Sequence, residues 1–383
     1  MTHFNKANNG TLLKTACAIV FILFVFPYLY FFQADLLAMA QHVLSGGATH
    51  YDSMIGAVVI TAVLYLVHVG ACKLGGLGEV CHAFTYLPSL LILVALTDID
   101  YGAEGNVLGG VWMWLSLLLI VVYVAVSLYL RFKVGLMSAA QNSSDVSVLW
   151  KNLLFMACMF IGVCLFGNGD RVLHYRLRIE RLLGAEAYAK ALSVGEKSED
   201  ADENLTMLRA FALSRSRQLG ERLFEYPLKG GSGALLPGKN GARCLLFPEE
   251  RIFKSLSIRR KGDMPAMEYL LYIERNGLAM KPVADYILCG YLLDKDLDAF
   301  VDAIKRKYNI ASPSLPKHYK EALTLYTHLR ANPALVYHDE VMDADYADLQ
   351  KLSRSYADMR VRESYVRDTY GDTYWYYYFY HKE

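Results

Sequence analysis

Charge is what the first 167 residues have least of. They carry six Lys/Arg (Lys6, Lys14, Lys73, Arg131, Lys133, Lys151) and seven Asp/Glu (Asp35, Asp52, Glu79, Asp98, Asp100, Glu104, Asp145), out of 39 and 38 in the 383-residue chain. So few charges cannot solvate the surface of a globular domain of that length, which excludes an ordinary water-soluble fold there. A basic excess is missing too: the formal net charge is +1, and the charge-rich C-terminal portion is nearly balanced. Nucleic-acid modules are usually markedly basic, so no nucleic acid is expected as a partner. No C-x-x-C and no H-x-x-x-H spacing occurs, and no cofactor is expected. Five of the seven cysteines (Cys17, Cys72, Cys81, Cys158, Cys164) lie in or beside apolar runs, where thiols behave as small hydrophobes. Cys244 and Cys289 could pair in an oxidising compartment, but two cysteines make no disulfide framework.

What is present is one apolar run after another. A bilayer core takes about 20 apolar residues per helix, and five spans are expected, near residues 12–32, 54–72, 80–97, 107–130 and 149–166. The third contains Pro88; the fifth is interrupted by Lys151 and Asn152, which shortens its apolar core. Ala38-Met39-Ala40 has the small-x-small pattern of a signal cleavage site, yet the preceding run is longer than a signal core and ends well before it, so a retained anchor is expected. Lys6, Lys14, Lys73, Arg131, Lys133 and Lys151 all fall on one side of the five segments, and the two opposite connections carry only acids. The positive-inside rule then puts the N-terminus in the cytoplasm, and five crossings of an inner (plasma) membrane put the C-terminal domain in the periplasm. Arg171, Arg176, Arg178 and Arg181 pull the other way, but long domains translocate despite their charge.

Residues 168–383 read as short amphipathic helices separated by Gly and Pro breaks: 176–197, 204–217, a short one from 219, then 265–276, 282–293, 297–308 and 315–330. A looser connection spans 229–241. The expected fold class is all-α, a bundle of about five transmembrane helices followed by a tetratricopeptide-like helical-repeat domain. Tyr188 to Leu192, Ala212-Leu213, Leu219-Gly220, Phe224 and Pro227 carry the repeat-like positions. Such pairs of helices bury their apolar faces only by stacking, and the curved surface that results binds peptides or proteins.

Three stretches, Leu223-Phe224-Glu225-Tyr226-Pro227, Leu315 to Leu323, and the aromatic C-terminus around Tyr374-Trp375-Tyr376-Tyr377-Tyr378, resemble an uncharacterised membrane-protein family of the Bacteroidales known only as a domain of unknown function. The resemblance covers roughly the C-terminal half; it implies a bacterial envelope location and lends no enzymatic activity to the reading.

Candidate sites are few. His68, Cys72, Cys81 and His82 converge near the ends of the second and third segments, joined by a tight glycine turn, and offer soft ligands for a metal or two imidazoles for a haem; alternatively the histidines hydrogen-bond within the bundle. Asp52, Asp98 and Asp100, with Asp35, His42, His50 and Glu104, crowd the opposite face, where paired carboxylates could act on a lipid-linked sugar or be plain solvated loop acids. Gly233 to Lys239 has phosphate-loop spacing, but Asn240 replaces the magnesium-binding hydroxyl, no strand precedes it and Pro237 removes an amide. His318, His328 and His338 recur every ten residues, which on a helix turns successive imidazoles about 80° apart, against a shared metal. Tyr374, Trp375, Tyr376, Tyr377 and Tyr378 cap the last repeat or dock on the lipid interface. The leading reading is a membrane-anchored envelope protein whose repeat domain binds a protein or peptide; the alternative is an enzyme or carrier acting on a lipid-linked or polar substrate.

Overall fold

The computed structural model describes residues 2–75, 79–101, 107–134, 145–239, 241–258 and 262–382. They form two compact units, Met1–Asp170 and Arg171–Glu383.

In the first unit α1 (Thr2–Pro27) runs into a π-helical turn, Tyr28–Phe32, followed by α2 (Ala34–Leu44), α3 (Ser53–Gly75), a 3-10 segment Glu79–Tyr86, α4 (Leu87–Thr97), the strands β1 (Ile99–Tyr101) and β2 (Val107–Gly109), α5 (Val111–Val134) and α6 (Asp145–Phe166). Among the described residues, four helices are long and apolar enough to cross a membrane: Gly10–Phe32, Ser53–Leu74, Val111–Tyr129 and Val146–Phe166. Their outer faces present Leu23, Val59, Leu66, Leu118, Val121 and Leu165, the inverse of a water-soluble bundle, whose outward faces are polar. Ala38-Met39-Ala40 lies inside α2, with Met39 and Ala40 buried.

The expected third span differs. It is a 3-10 segment kinked at Cys81 (φ −114°, ψ 22°) and then an 11-residue α-helix. Pro88 stands in the first turn of α4, where a missing N–H leaves no hydrogen bond unmade. The fourth expected span begins four residues late, because Val107–Gly109 pairs antiparallel with Ile99–Tyr101, Ile99 opposite Gly109. The fifth is longer than expected, 22 residues. Asn152 does not interrupt it: its Nδ2 donates to Val148 O (2.8 Å) and its Oδ1 accepts the Ala83 N–H (2.7 Å), so the amide ties α6 to the 3-10 segment, while Lys151 is exposed.

Among the described residues of the second unit, every regular element is a helix. The helix expected over 176–197 is two, α7 (Arg171–Gly184) and α8 (Tyr188–Ser193), broken where Glu186 turns at φ 57°. Then follow α9 (Glu203–Arg215) and α10 (Leu219–Arg222). The expected loose connection contains a packed 3-10 turn, Gly231–Leu235, entered through Gly230 at φ 88°, where a Cβ would stand 2.5 Å from the Glu203 side chain. After α11 (Glu249–Leu256), which the sequence pattern did not signal, α12 (Ala266–Arg275), α13 (Val283–Leu293), α14 (Leu297–Lys307) and α15 (Lys317–Leu329) stand where expected. Beyond them lie α16 (Glu340–Ser355), α17 (Met359–Tyr370) and α18 (Tyr374–Tyr380). Neighbours pack in succession, α8 on α9, α12 on α13, α13 on α14, while α10 reaches across to α15. Asp202, Asp296, Asp339, Asp358 and Thr373 each accept backbone N–H groups at a helix start, which meets donors that the helix itself cannot satisfy.

Candidate functional site

His68 and Cys72 are four residues apart on α3 and therefore share one face. His82, from the 3-10 segment, meets them: the ligand atoms of His68, Cys72 and His82 all lie within 4.8 Å of one another. Cys81 does not join them. It is exposed, because successive residues of a 3-10 turn point about 120° apart and His82 takes the inward position. The glycine turn at 76–78 lies outside the described residues.

The surroundings fix the chemistry of His68. Thr85 donates its single hydroxyl hydrogen to His82 O (2.6 Å), so towards His68 Nδ1, 3.0 Å away, its oxygen must accept. Nδ1 therefore carries the proton, and Nε2 keeps its lone pair. Cys72 Sγ lies 3.7 Å from that Nε2. Tyr86 stacks on the His68 ring, centroids 3.6 Å apart at 6°, with Phe21 of α1 behind it at 4.9 Å. Tyr86 is fully buried, and among the described residues its hydroxyl has no hydrogen-bond partner. Thr85 and Tyr86 were not singled out from the sequence, although Thr85, three residues after His82, carried a local signal.

At the other end of this unit the acids are engaged by helix starts. Asp52 Oδ1 accepts the N–H groups of Met54 and Ile55, both at 2.9 Å, capping α3. Asp98 Oδ2 accepts Met113 N–H (3.1 Å) at the start of α5, and a Cβ on Gly110 would stand 2.3 Å from its carboxylate. Asp100 lies in β1, its side chain outside the description, as is Glu104. Helix N-termini favour negative charge, so Asp52 and Asp98 each have structural work at a helix start.

In the second unit the C-terminal aromatics form α18. Tyr374, Trp375 and Tyr377 are buried, while Tyr376 and Tyr378 are partly exposed. Trp375 Nε1 donates to Glu321 O (2.7 Å), Tyr374 N to Glu321 Oε2 (2.7 Å), and Tyr377 Oη to Leu293 O (2.8 Å). His318 completes the node, with Nδ1 2.9 Å from Glu321 Oε2 and Nε2 accepting Phe224 N–H. The Phe224 ring stands edge-on to His318, Tyr374 and Tyr377. The three stretches that carry the family resemblance thus meet at one buried point. His328 and His338 are elsewhere, each beside Asp343, at 3.5 and 3.4 Å. Gly233 to Lys239 runs through the 3-10 turn into extended chain, with no strand before it; Asn240 lies outside the described residues. Cys244 and Cys289 are free thiols, and burial pushes both above the ordinary thiol value.

A second buried acid was missed because its burial was not legible. Glu180 Oε2 accepts three successive amides, Leu245, Leu246 and Phe247, at 2.7, 2.5 and 2.9 Å, and Oε1 faces Arg176 Nε at 3.2 Å. Burial raises its carboxyl against the pull of Arg176 and the amides; with only donors facing both oxygens, it serves as a carboxylate.

The described residues define a helical protein of two units, the first with four helices long and apolar enough to cross a membrane. Residues 263–381 match the model of a family of unknown function (DUF6057), a segment that includes His318, Glu321 and all of α18. No curated protein and no solved structure matches the chain.

Proposed function

We propose that this is a membrane-anchored envelope protein whose second unit, a tetratricopeptide-like stack of helix pairs, binds a protein or peptide partner. The observation that carries the reading is the imbalance of the last hairpin. In α17 only Val366 is buried, and in α16 only Tyr346 and Leu349, while Val341, Met359, Val361 and Tyr365 are exposed. Val361 and Tyr365 stand one turn apart on one face, and Tyr356 stacks on Tyr365 at 4.4 Å. A helix that contributes one side chain to the core and shows an apolar row outward is suited to meet a partner helix or strand. The engagement of Asp52 and Asp98 in helix capping weakens the alternative of membrane chemistry at that face. The distribution of Lys and Arg supports a cytoplasmic N-terminus and, with five crossings, a periplasmic second unit.

A photo-crosslinking residue at Val361 in the full chain in cells tests this, with the exposed Lys190 as control position. The reading expects one defined protein adduct at Val361, absent at Lys190 and reduced at least tenfold by Met359→Asp. Adducts to phospholipid alone, or equal labelling at both positions, would overturn it.

A further inference from the structure

The geometry points to a three-coordinate site for monovalent copper in the first unit, with Cys72 Sγ, His68 Nε2 and a ring nitrogen of His82 as ligands. Metal–nitrogen and metal–sulfur distances of about 2.0 and 2.3 Å, at 120° around a trigonal ion, put the two ligand atoms about 3.7 Å apart. Cys72 Sγ and His68 Nε2 are 3.7 Å apart, but the sulfur is as near to Nδ1 (3.8 Å), so the Cys72 side chain must swing towards the Nε2 side of the ring to share an ion with it. A ring nitrogen of His82 starts within 4.8 Å of Cys72 Sγ and of a His68 ring nitrogen and needs to close in by about 1.3 Å at most, since trigonal nitrogens stand about 3.5 Å apart at such bond lengths.

His68 is prepared for this role. A histidine ligand ordinarily donates its other ring nitrogen to an oxygen that fixes tautomer and orientation, and Nδ1–H to Thr85 Oγ1 at 3.0 Å is that bond. Tyr86, stacked on the ring, locks its plane. The 3-10 backbone that presents His82 is itself held by Asn152 of α6 through Ala83 N–H.

Charge and ligand number choose the ion. On binding, the Cys72 S–H bond breaks, the proton leaves to solvent and an S–Cu bond forms with no change of oxidation state. A thiolate, two neutral imidazoles and Cu(I) sum to zero, whereas a divalent ion would leave one positive charge among apolar helices, which is costly. Thiolate and imidazole suit Cu(I), and three ligands satisfy it, while zinc sites are almost always completed to four.

The full chain is purified in detergent under anaerobic, reducing conditions as the Cys81→Ser/Cys158→Ser/Cys164→Ser form, which removes the exposed thiols. Cu(I) is titrated against the chromogenic chelator bathocuproine disulfonate. One Cu(I) per chain is expected to survive competition, with one sulfur and two nitrogens in its X-ray absorption shell. Cys72→Ser and His82→Asn should each weaken binding at least tenfold, and Thr85→Val about 10- to 100-fold, as loss of an orienting partner does. No retention by the thiol-depleted parent, a shell without sulfur, undiminished binding by Cys72→Ser, or tighter binding of Zn(II) than of Cu(I) would each overturn the proposal. The absorption shell is read on the unmutated ligand set, so the test holds even where a ligand variant misfolds.

Discussion

Replacing Glu180 should open the 242–247 stretch before it unfolds the second unit. In Glu180→Leu the amides of Leu245, Leu246 and Phe247 lose their common acceptor, and each buried donor left unmade costs about 1–3 kcal/mol. Arg176, only 10% exposed in its side chain, loses its counter-charge, a change worth about 3–5 kcal/mol when the partner of a buried pair is removed. The chain avoids the full sum by letting water reach the amides, so the expected net loss is about 3–5 kcal/mol, mostly local. Glu180→Gln keeps one oxygen for the three amides but turns an NH2 towards Arg176 Nε, donor against donor, and should cost about 2 kcal/mol. Arg176→Met combined with Glu180→Leu removes the stranded charge and should recover at least about 2 kcal/mol relative to Glu180→Leu alone. The assay is hydrogen exchange of the full chain in detergent: at about 1.4 kcal/mol per tenfold, Glu180→Gln should speed exchange at these amides roughly 30-fold and Glu180→Leu more than 100-fold. Protection of all three amides in Glu180→Leu within threefold of the parent would refute the argument.

Gly220→Ala places a Cβ 2.4 Å from the Tyr319 ring; it should break the Tyr319 Oη to Asp285 hydrogen bond and lower stability by about 1–3 kcal/mol, read as a fall in melting temperature. Asp339 is opposed by burial, but the amides of Met342 and Val341 and the Lys320 ammonium hold its carboxyl below the usual range. Its stabilisation is complete above the unfolded carboxylate value, near pH 4, and is lost as pH falls through the lower folded value, so protection at the start of α16 should fall only below about pH 4; protection already declining at pH 6 would contradict this. Burial pushes the Cys244 and Cys289 thiols up, so at pH 8 both should resist iodoacetamide in the folded chain and react after denaturation; rapid labelling of either in the native chain would argue against the packing around α13.

What was legible followed from hydropathy and caps. Long runs such as 111–129 need only length and composition to stand out, and α12 to α15 each begin after Pro or Asp. The C-terminal helices were not legible for identifiable reasons. The run Tyr374 to Phe379 has no periodicity, since every residue is aromatic, and only the Thr373 cap and the Glu321 contacts decide which rings turn inward. The break between α7 and α8 turns at Glu186 (φ 57°), a residue type that gives no turn signal, although α7 ends on Gly184. An Asp just before a long helix, as Asp52 is, reads in sequence equally as an acid for chemistry and as an N-cap; the cap becomes visible only with the Met54 and Ile55 amides on its carboxylate. At the metal-ligand cluster, the four-residue spacing of His68 and Cys72 was in the sequence. That Cys81 turns out and His82 in depended on the phase of a 3-10 turn, which hydropathy does not report.

The same 3-10 turn bears on which side of a membrane the second unit lies. A 3-10 helix rises about 2.0 Å per residue and an α-helix 1.5 Å, so the eight residues of Glu79–Tyr86 and the eleven of Leu87–Thr97 together reach about 32 Å, against a hydrocarbon core of about 30 Å. The segment is kinked at Cys81, so this sum is the upper bound of its reach, and among the described residues the helices long and apolar enough to cross a membrane are the four longer ones. Ser89 Oγ donating to Leu64 O and Asn152 Oδ1 accepting from Ala83 meet polar demands that such a segment would otherwise bring into lipid. Under the proposed five crossings from a cytoplasmic N-terminus, a C-terminal tag is exposed to protease added to spheroplasts. Protection of the tag until the membrane is lysed would remove one crossing, return the second unit to the cytoplasm, and move the search for its partner there.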